Sequence, residues 1–145
     1  MVGRNEMRRR IKGRQTTPSF VMFPHHVLRH DVLSKLSPRA SKLVIDLMAQ
    51  YRGDNNGDLS ATLKMMKKRG WNSSEQLDKA KKELISKGVI WVTRQGGRNM
   101  ASLYALTWFP IDECKGKLDV SPTKTAPVNW KNKMPSPSDG TKGHD

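Results

Sequence analysis

The 145-residue chain has a single cysteine, Cys114, so no internal disulfide can form, which suits a reducing compartment. No stretch approaches the roughly 18 uncharged apolar residues a membrane span needs. The Arg-rich start is not followed by the apolar segment of a secretory signal. The expectation is a cytoplasmic protein with no membrane partner. Apolar residues make up 35% and aromatics 6%, enough for one modest core if the chain ends stay outside it. Catalytic signatures are missing too. No Ser sits in a Gly-rich elbow, and no Gly-rich phosphate cradle ends in Lys-Ser or Lys-Thr. His26 and His30 stand four apart, but no second Cys/His pair joins them. Asp54 to Asp58 hints at a calcium loop, yet Met65 takes the twelfth position where such a loop needs Glu. The expectation is a non-enzyme with no cofactor, no metal and no evident small-molecule substrate.

Acidic residues are also scarce, 13 against 27 Lys and Arg, for a net charge of +14. Such a field attracts polyanions and displaces their condensed counterions. It is densest at residues 1–18, where six Lys/Arg face only Glu6. That segment has almost no apolar content and reads as a flexible basic arm. Residues 115–145 carry Pro122, Pro127, Pro135 and Pro137 among Ser, Thr, Lys and Gly, and read as a disordered tail in which Trp130 is the exception. The folded domain is expected at residues 19–114.

Within that domain, Pro24 can open a helical segment to about Leu36. Ser37 as N-cap and Pro38 at the first position start a clearer helix, with Ala40, Leu43, Val44, Leu47, Met48 and Tyr51 on one face. The Gly- and Asn-rich run 52–58 stops it. Ser60 is expected to cap a short helix through Arg69, ended by Gly70, with Leu63 and Met66 inward and Trp71 anchoring the turn. Ser73 and Gln76 form a capping-box pair, followed by Leu77, Ala80, Leu84 and Ile85 as the third stripe, ending at Gly88. Val89 to Arg94 and Leu103 to Trp108 read as strands flanking a Gly-rich turn at 95–98. The predicted class is mainly α with a small β-hairpin, in the order of a winged helix-turn-helix.

Residues 60–108 resemble bacterial winged-helix regulators: the run Ser74 to Ile90 pairs a small-polar start and an apolar stripe with a Leu-x-x-x-Gly ending and an aliphatic strand. Phe20 with Pro24, Leu36-Ser37 with Ala40, Asn55-Asn56-Gly57 and Ala105-Leu106-Thr107-Trp108 are similar to helix-turn-helix proteins of phages, plasmids and integrated elements. The resemblance implies a double-stranded DNA-binding protein, a transcriptional regulator or replication accessory of a mobile element. An α-helix fits the B-DNA major groove, about 12 Å wide. If Leu77, Ala80 and Leu84 face the core, Asn72, Ser73, Ser74, Gln76, Lys79 and Lys82 can reach DNA. Gln76 is the candidate adenine reader, although capping competes for its side chain. Glu75, Asp78 and Glu83 count against a uniformly basic surface unless they pair with neighbouring Lys. Arg94, Arg98 and Asn99 frame the wing. Arg8, Arg9 and Arg10 could trail along a minor groove, bind RNA or only solubilise. Two rivals stand beside DNA binding: a protein-interaction module, including a homodimer, through Trp91, Trp108 and Ile45, and an RNA-binding protein led by the arm.

Overall fold

The computed structural model describes residues 18–131. Arg8, Arg9 and Arg10 of the basic arm therefore lie outside the described residues. Ser37 is extended (ψ 158°), and its Oγ accepts from the Ala40 amide, so with Pro38 next the backbone enters a helix at once. Two four-residue helices precede it, α1 (His25–Leu28) and α2 (Asp31–Ser34). The expected single helix from Pro24 to Leu36 is thus split. His30 breaks it, because its Nδ1 accepts from the Val32 amide at 3.1 Å and caps α2. His26 consequently lies in α1, while His30 is the N-cap of α2, so the two no longer share a helix face.

Helix α3 (Pro38–Met48) buries Ala40, Leu43, Val44, Leu47 and Met48, and packs against α5 (Ser74–Ser86) through Leu77, Ala80 and Leu84. Each fully buried Leu contributes about 1.5–3 kcal/mol relative to an exposed one. Ile45 points outward at 59% exposure, and Ile85, expected on the inner stripe, is 37% exposed. The residue after Leu84, it is rotated from it by about 100° around the helix axis, off the buried stripe.

Between α3 and α5 lie β1 (Leu59–Ser60), α4 (Leu63–Met66) and a 3-10 turn at Lys67–Arg69. Gly70 ends that turn at φ 95°, in the left-handed region. Ser60 is therefore a strand residue, and Thr62 caps α4 by accepting from the Met65 amide. The reason is tertiary: the Gln50 side chain bonds both the Ser60 amide and its carbonyl, holding it extended. β2 (Ile90–Arg94) and β3 (Leu103–Leu106) complete an antiparallel sheet in the order β1-β3-β2, with Leu59 opposite Tyr104 and Ile90 opposite Leu106. The architecture is mixed α/β, five helices and a three-stranded sheet among the described residues, where a hairpin alone was expected.

Two features beyond the strands fix the back of the sheet. Asn56, fully buried, accepts from the Leu106 amide and donates to the carbonyls of Leu106, Phe109 and Pro110, so the 52–58 loop is clamped to the end of β3. Residues 115–131, expected to be disordered, instead lie along the domain. Asp119 donates its amide to the Thr93 carbonyl, Thr123 to Ile111 and Val128 to Thr107. Trp130 is 3% exposed, set edge-on to Trp108 at 5.6 Å and to His30 at 5.0 Å, and its Nε1 donates to Thr107 Oγ1 at 3.0 Å. Trp108 also stacks on Phe23, so the ends of the described chain meet in one aromatic cluster. Trp108, expected to be exposed, is 6% exposed for that reason. No helix of the described residues is long and apolar enough to cross a membrane.

Candidate nucleic-acid interface

Ser73 fixes where α5 begins. Its Oγ accepts from the Gln76 amide at 3.2 Å, which leaves the exposed Asn72 and Ser74 beside the helix start. The reciprocal half of the capping box is not made. The Gln76 carboxamide instead accepts from Arg39 of α3 at 3.1 Å. Its oxygen is thus held by a guanidinium on an exposed surface, while its amide nitrogen stays outward. The adenine-reading role expected of Gln76 would require that contact to open.

Down the exposed side of α5 come Lys79 and Lys82. Lys79 is 51% exposed and 3.4 Å from Glu75; Lys81 lies 3.4 Å from Asp78. Two of the three carboxylates that weighed against a basic surface are therefore paired on the helix itself. The third, Glu83, turns inward and accepts from the Ser37 amide at 2.8 Å and hydroxyl at 2.6 Å. Burial pushes the Glu83 carboxyl up, but those two bonds, with Arg39 and Lys87 nearby, hold it below its ordinary value. Lys82 has no ion pair among the described residues.

The loop between β2 and β3 supplies the second group. A register shift between Val92 and Arg94 tucks Thr93 inside, where its Oγ1 donates to the Gly57 carbonyl at 2.6 Å. The loop then closes on itself: Gly96 donates to Ser102 Oγ, and Gly97 and Met100 exchange backbone bonds at 2.9 and 3.1 Å. Gly96 is required, since a Cβ there would lie 2.5 Å from the Ser102 amide nitrogen. Arg98 and Asn99 occupy the exposed apex, Asn99 at φ 59°. Arg94 does not project with them. It is half-buried, its Nη2 donates to the Ala101 carbonyl at 2.9 Å, and its buried Nε has no partner among the described residues. Arg94 thus braces the loop, and its expected outward role is not supported by its placement.

Helix α5 packs against β2, the strand that leads into the loop. Residues 60–102 hold ten Lys/Arg against three Asp/Glu, while the other described residues hold nine against seven. Asp54, Asp58, Asp112 and Glu113 line a cavity at the end of β3 away from the loop together with Arg52, Lys115 and Lys117, so charge there is nearly balanced, with Lys117 2.9 Å from Asp58. Comparison with known proteins returns no matching family model, no matching curated protein and no matching solved structure.

Four further cations absent from the expected site, Lys64, Lys67, Lys68 and Arg69, are exposed on α4 and its 3-10 turn. The run Lys67-Lys68-Arg69 before a helix-ending Gly was visible in the sequence as a charge cluster. Of the rival docking residues, Ile45 and Trp91 are exposed at 59% and 41%, and Trp108 is withdrawn.

Proposed function

We propose that the chain is a double-stranded DNA-binding protein with a winged helix-turn-helix layout, α4 and α5 forming the helix-turn-helix and the 95–102 loop the wing. The observation that carries this reading is the charge asymmetry: the body's cationic excess is concentrated in residues 60–102, on the elements that layout turns toward DNA. Exposed Lys82, Lys79, Arg98 and the α4 lysines would bind phosphate, which supplies sequence-independent affinity and register. Asn72, Ser74 and the free amide of Gln76 are the groups available for base edges. On the resemblance to winged-helix regulators at residues 60–108, and to mobile-element proteins at Phe20 with Pro24, Leu36-Ser37 with Ala40, Asn55-Asn56-Gly57 and Ala105 to Trp108, the role we assign is regulation or replication within a mobile element.

Binding of a random duplex, followed by anisotropy across a salt series, tests this directly. Each neutralised phosphate contributes about −0.9 to the log-log slope, so five contacts give about −4.5. A flat slope overturns the proposal. Preference for RNA, lost on removing residues 1–18, would transfer the function to the arm. Self-association without DNA affinity, abolished by Ile45→Glu or Trp91→Glu, would favour the interaction module instead.

A further inference from the structure

Asp46, on α3, is 2% exposed and accepts three hydrogen bonds: from Lys42 Nζ at 2.9 Å, Arg69 Nε at 2.9 Å and Trp71 Nε1 at 2.6 Å. These donors come from α3 itself, from the 3-10 turn after α4, and from the residue that follows Gly70. Lys42 Nζ also donates to the Arg69 carbonyl at 2.5 Å, and it lies 5.4 Å from the centre of the Trp71 ring. One buried carboxylate thus faces two cations, and the group keeps an excess of one positive charge. A carboxylate buried without such partners would be costly, which explains why the turn cannot drift from α3.

The consequence lies on the outer side of Arg69. A guanidinium has five N–H donors in a rigid fork. Asp46 occupies the Nε–H, while the side chain remains 48% exposed and its Nη groups have no partner among the described residues. With Nε bonded to Asp46, rotation of the planar group is restricted while about half of the side chain stays accessible, next in sequence to exposed Lys68. A planar pair of donors suits two oxygens of one phosphate, and fixing it beforehand removes part of the ordering cost of binding.

We infer that Arg69 is a phosphodiester-binding residue aimed by Asp46 as its positioning residue, an assignment that rests on the duplex-DNA reading and extends it to the turn before α5. The contact adds a phosphate anchor next to the point where α5 begins, so it sets how that helix enters the groove. An ion pair serving structure alone would lower stability on mutation and leave the ionic-strength dependence of binding untouched.

The test is the salt dependence of duplex binding by the full chain and by Arg69→Gln and Arg69→Lys, on two unrelated duplex sequences. Arg69→Gln is expected to make the slope shallower by about 0.9, with the same fold loss on both sequences, and Arg69→Lys to restore the slope. A wild-type slope in Arg69→Gln overturns the assignment and leaves the duplex reading standing. A wild-type chain with no salt-dependent affinity overturns both. If Arg69→Gln does not fold, the guanidinium 15N signals of Arg69 in the wild-type chain decide. On adding duplex the Nη signals should shift and their rotation slow, and unchanged Nη signals overturn the proposal.

Discussion

Replacing Trp130 by Ala removes the side chain that ties the C-terminal segment to the domain. The indole is 3% exposed, packs edge-on against Trp108 and His30, and spends its N–H on Thr107 Oγ1. Truncating a buried Trp costs about 3–5 kcal/mol in lost transfer energy and cavity formation. The lost hydrogen bond adds little, because Thr107 Oγ1 still donates to the carbonyls of Gly88 and Val89. About 4 kcal/mol is a large share of the roughly 5–15 kcal/mol that stabilises a domain. At about 4 °C per kcal/mol for a body of this size, the midpoint should fall by about 16 °C. Trp130→Phe, which keeps most of the burial, should recover more than half of that. Far-UV circular dichroism is the appropriate probe, since Trp130 itself contributes to fluorescence. A loss under about 1 kcal/mol, or a chain ending at residue 114 that melts like the full one, would refute the packed tail. Trp130 sits by α2 and the end of β3, away from the 95–102 loop, so DNA binding below the new midpoint should be unchanged.

Asn56→Ala orphans the buried Leu106 amide and the carbonyls of Leu106, Phe109 and Pro110, and should cost about 2–3 kcal/mol in urea unfolding; a midpoint equal to wild type would refute the clamp. Burial pushes the Asp46 carboxyl up, but bonds from Lys42, Trp71 and Arg69 outweigh it and leave its pKa depressed, as for Glu83. The unfolded chain then takes up protons first as pH falls. The stability from these groups is complete well above the ordinary carboxylate value of about 4 and is lost progressively below it. Asp46→Asn should flatten that acid limb, and an unchanged limb would contradict the assignment. Lys79→Glu with Arg98→Glu, both exposed, should weaken duplex binding with little change in thermal midpoint. Equal loss of folding would show that these side chains are structural.

What the sequence made legible was local. Ser37-Pro38 and Ser73 cap their helices as expected, because a cap is a contact within three residues. Thr62 was overlooked in favour of Ser60 because the deciding partner, Gln50, lies ten residues upstream. The helix break at His30 required a ring nitrogen to act as a cap, a role that helical periodicity does not reveal. Averaged composition hid the tail's order: a few anchors, Leu118 against Gly57, Val128 and Trp130, are enough to seat it. At the candidate interface, charge and exposure were readable for Lys79, Lys82 and Arg98, and exposure for Asn99. The diversion of Gln76 to Arg39, of Glu83 to Ser37 and of Arg94 to Ala101 depends on elements that meet only after folding.

The most direct measurement is an amide NMR titration of the full chain with a short duplex. Duplex binding through this face should shift residues 64–82 and the 95–102 loop, while the Trp130 indole and the acidic residues around Asp112 stay fixed. Shifts confined to residues 1–17, or centred on Ile45 and Trp91 and independent of salt, would contradict it.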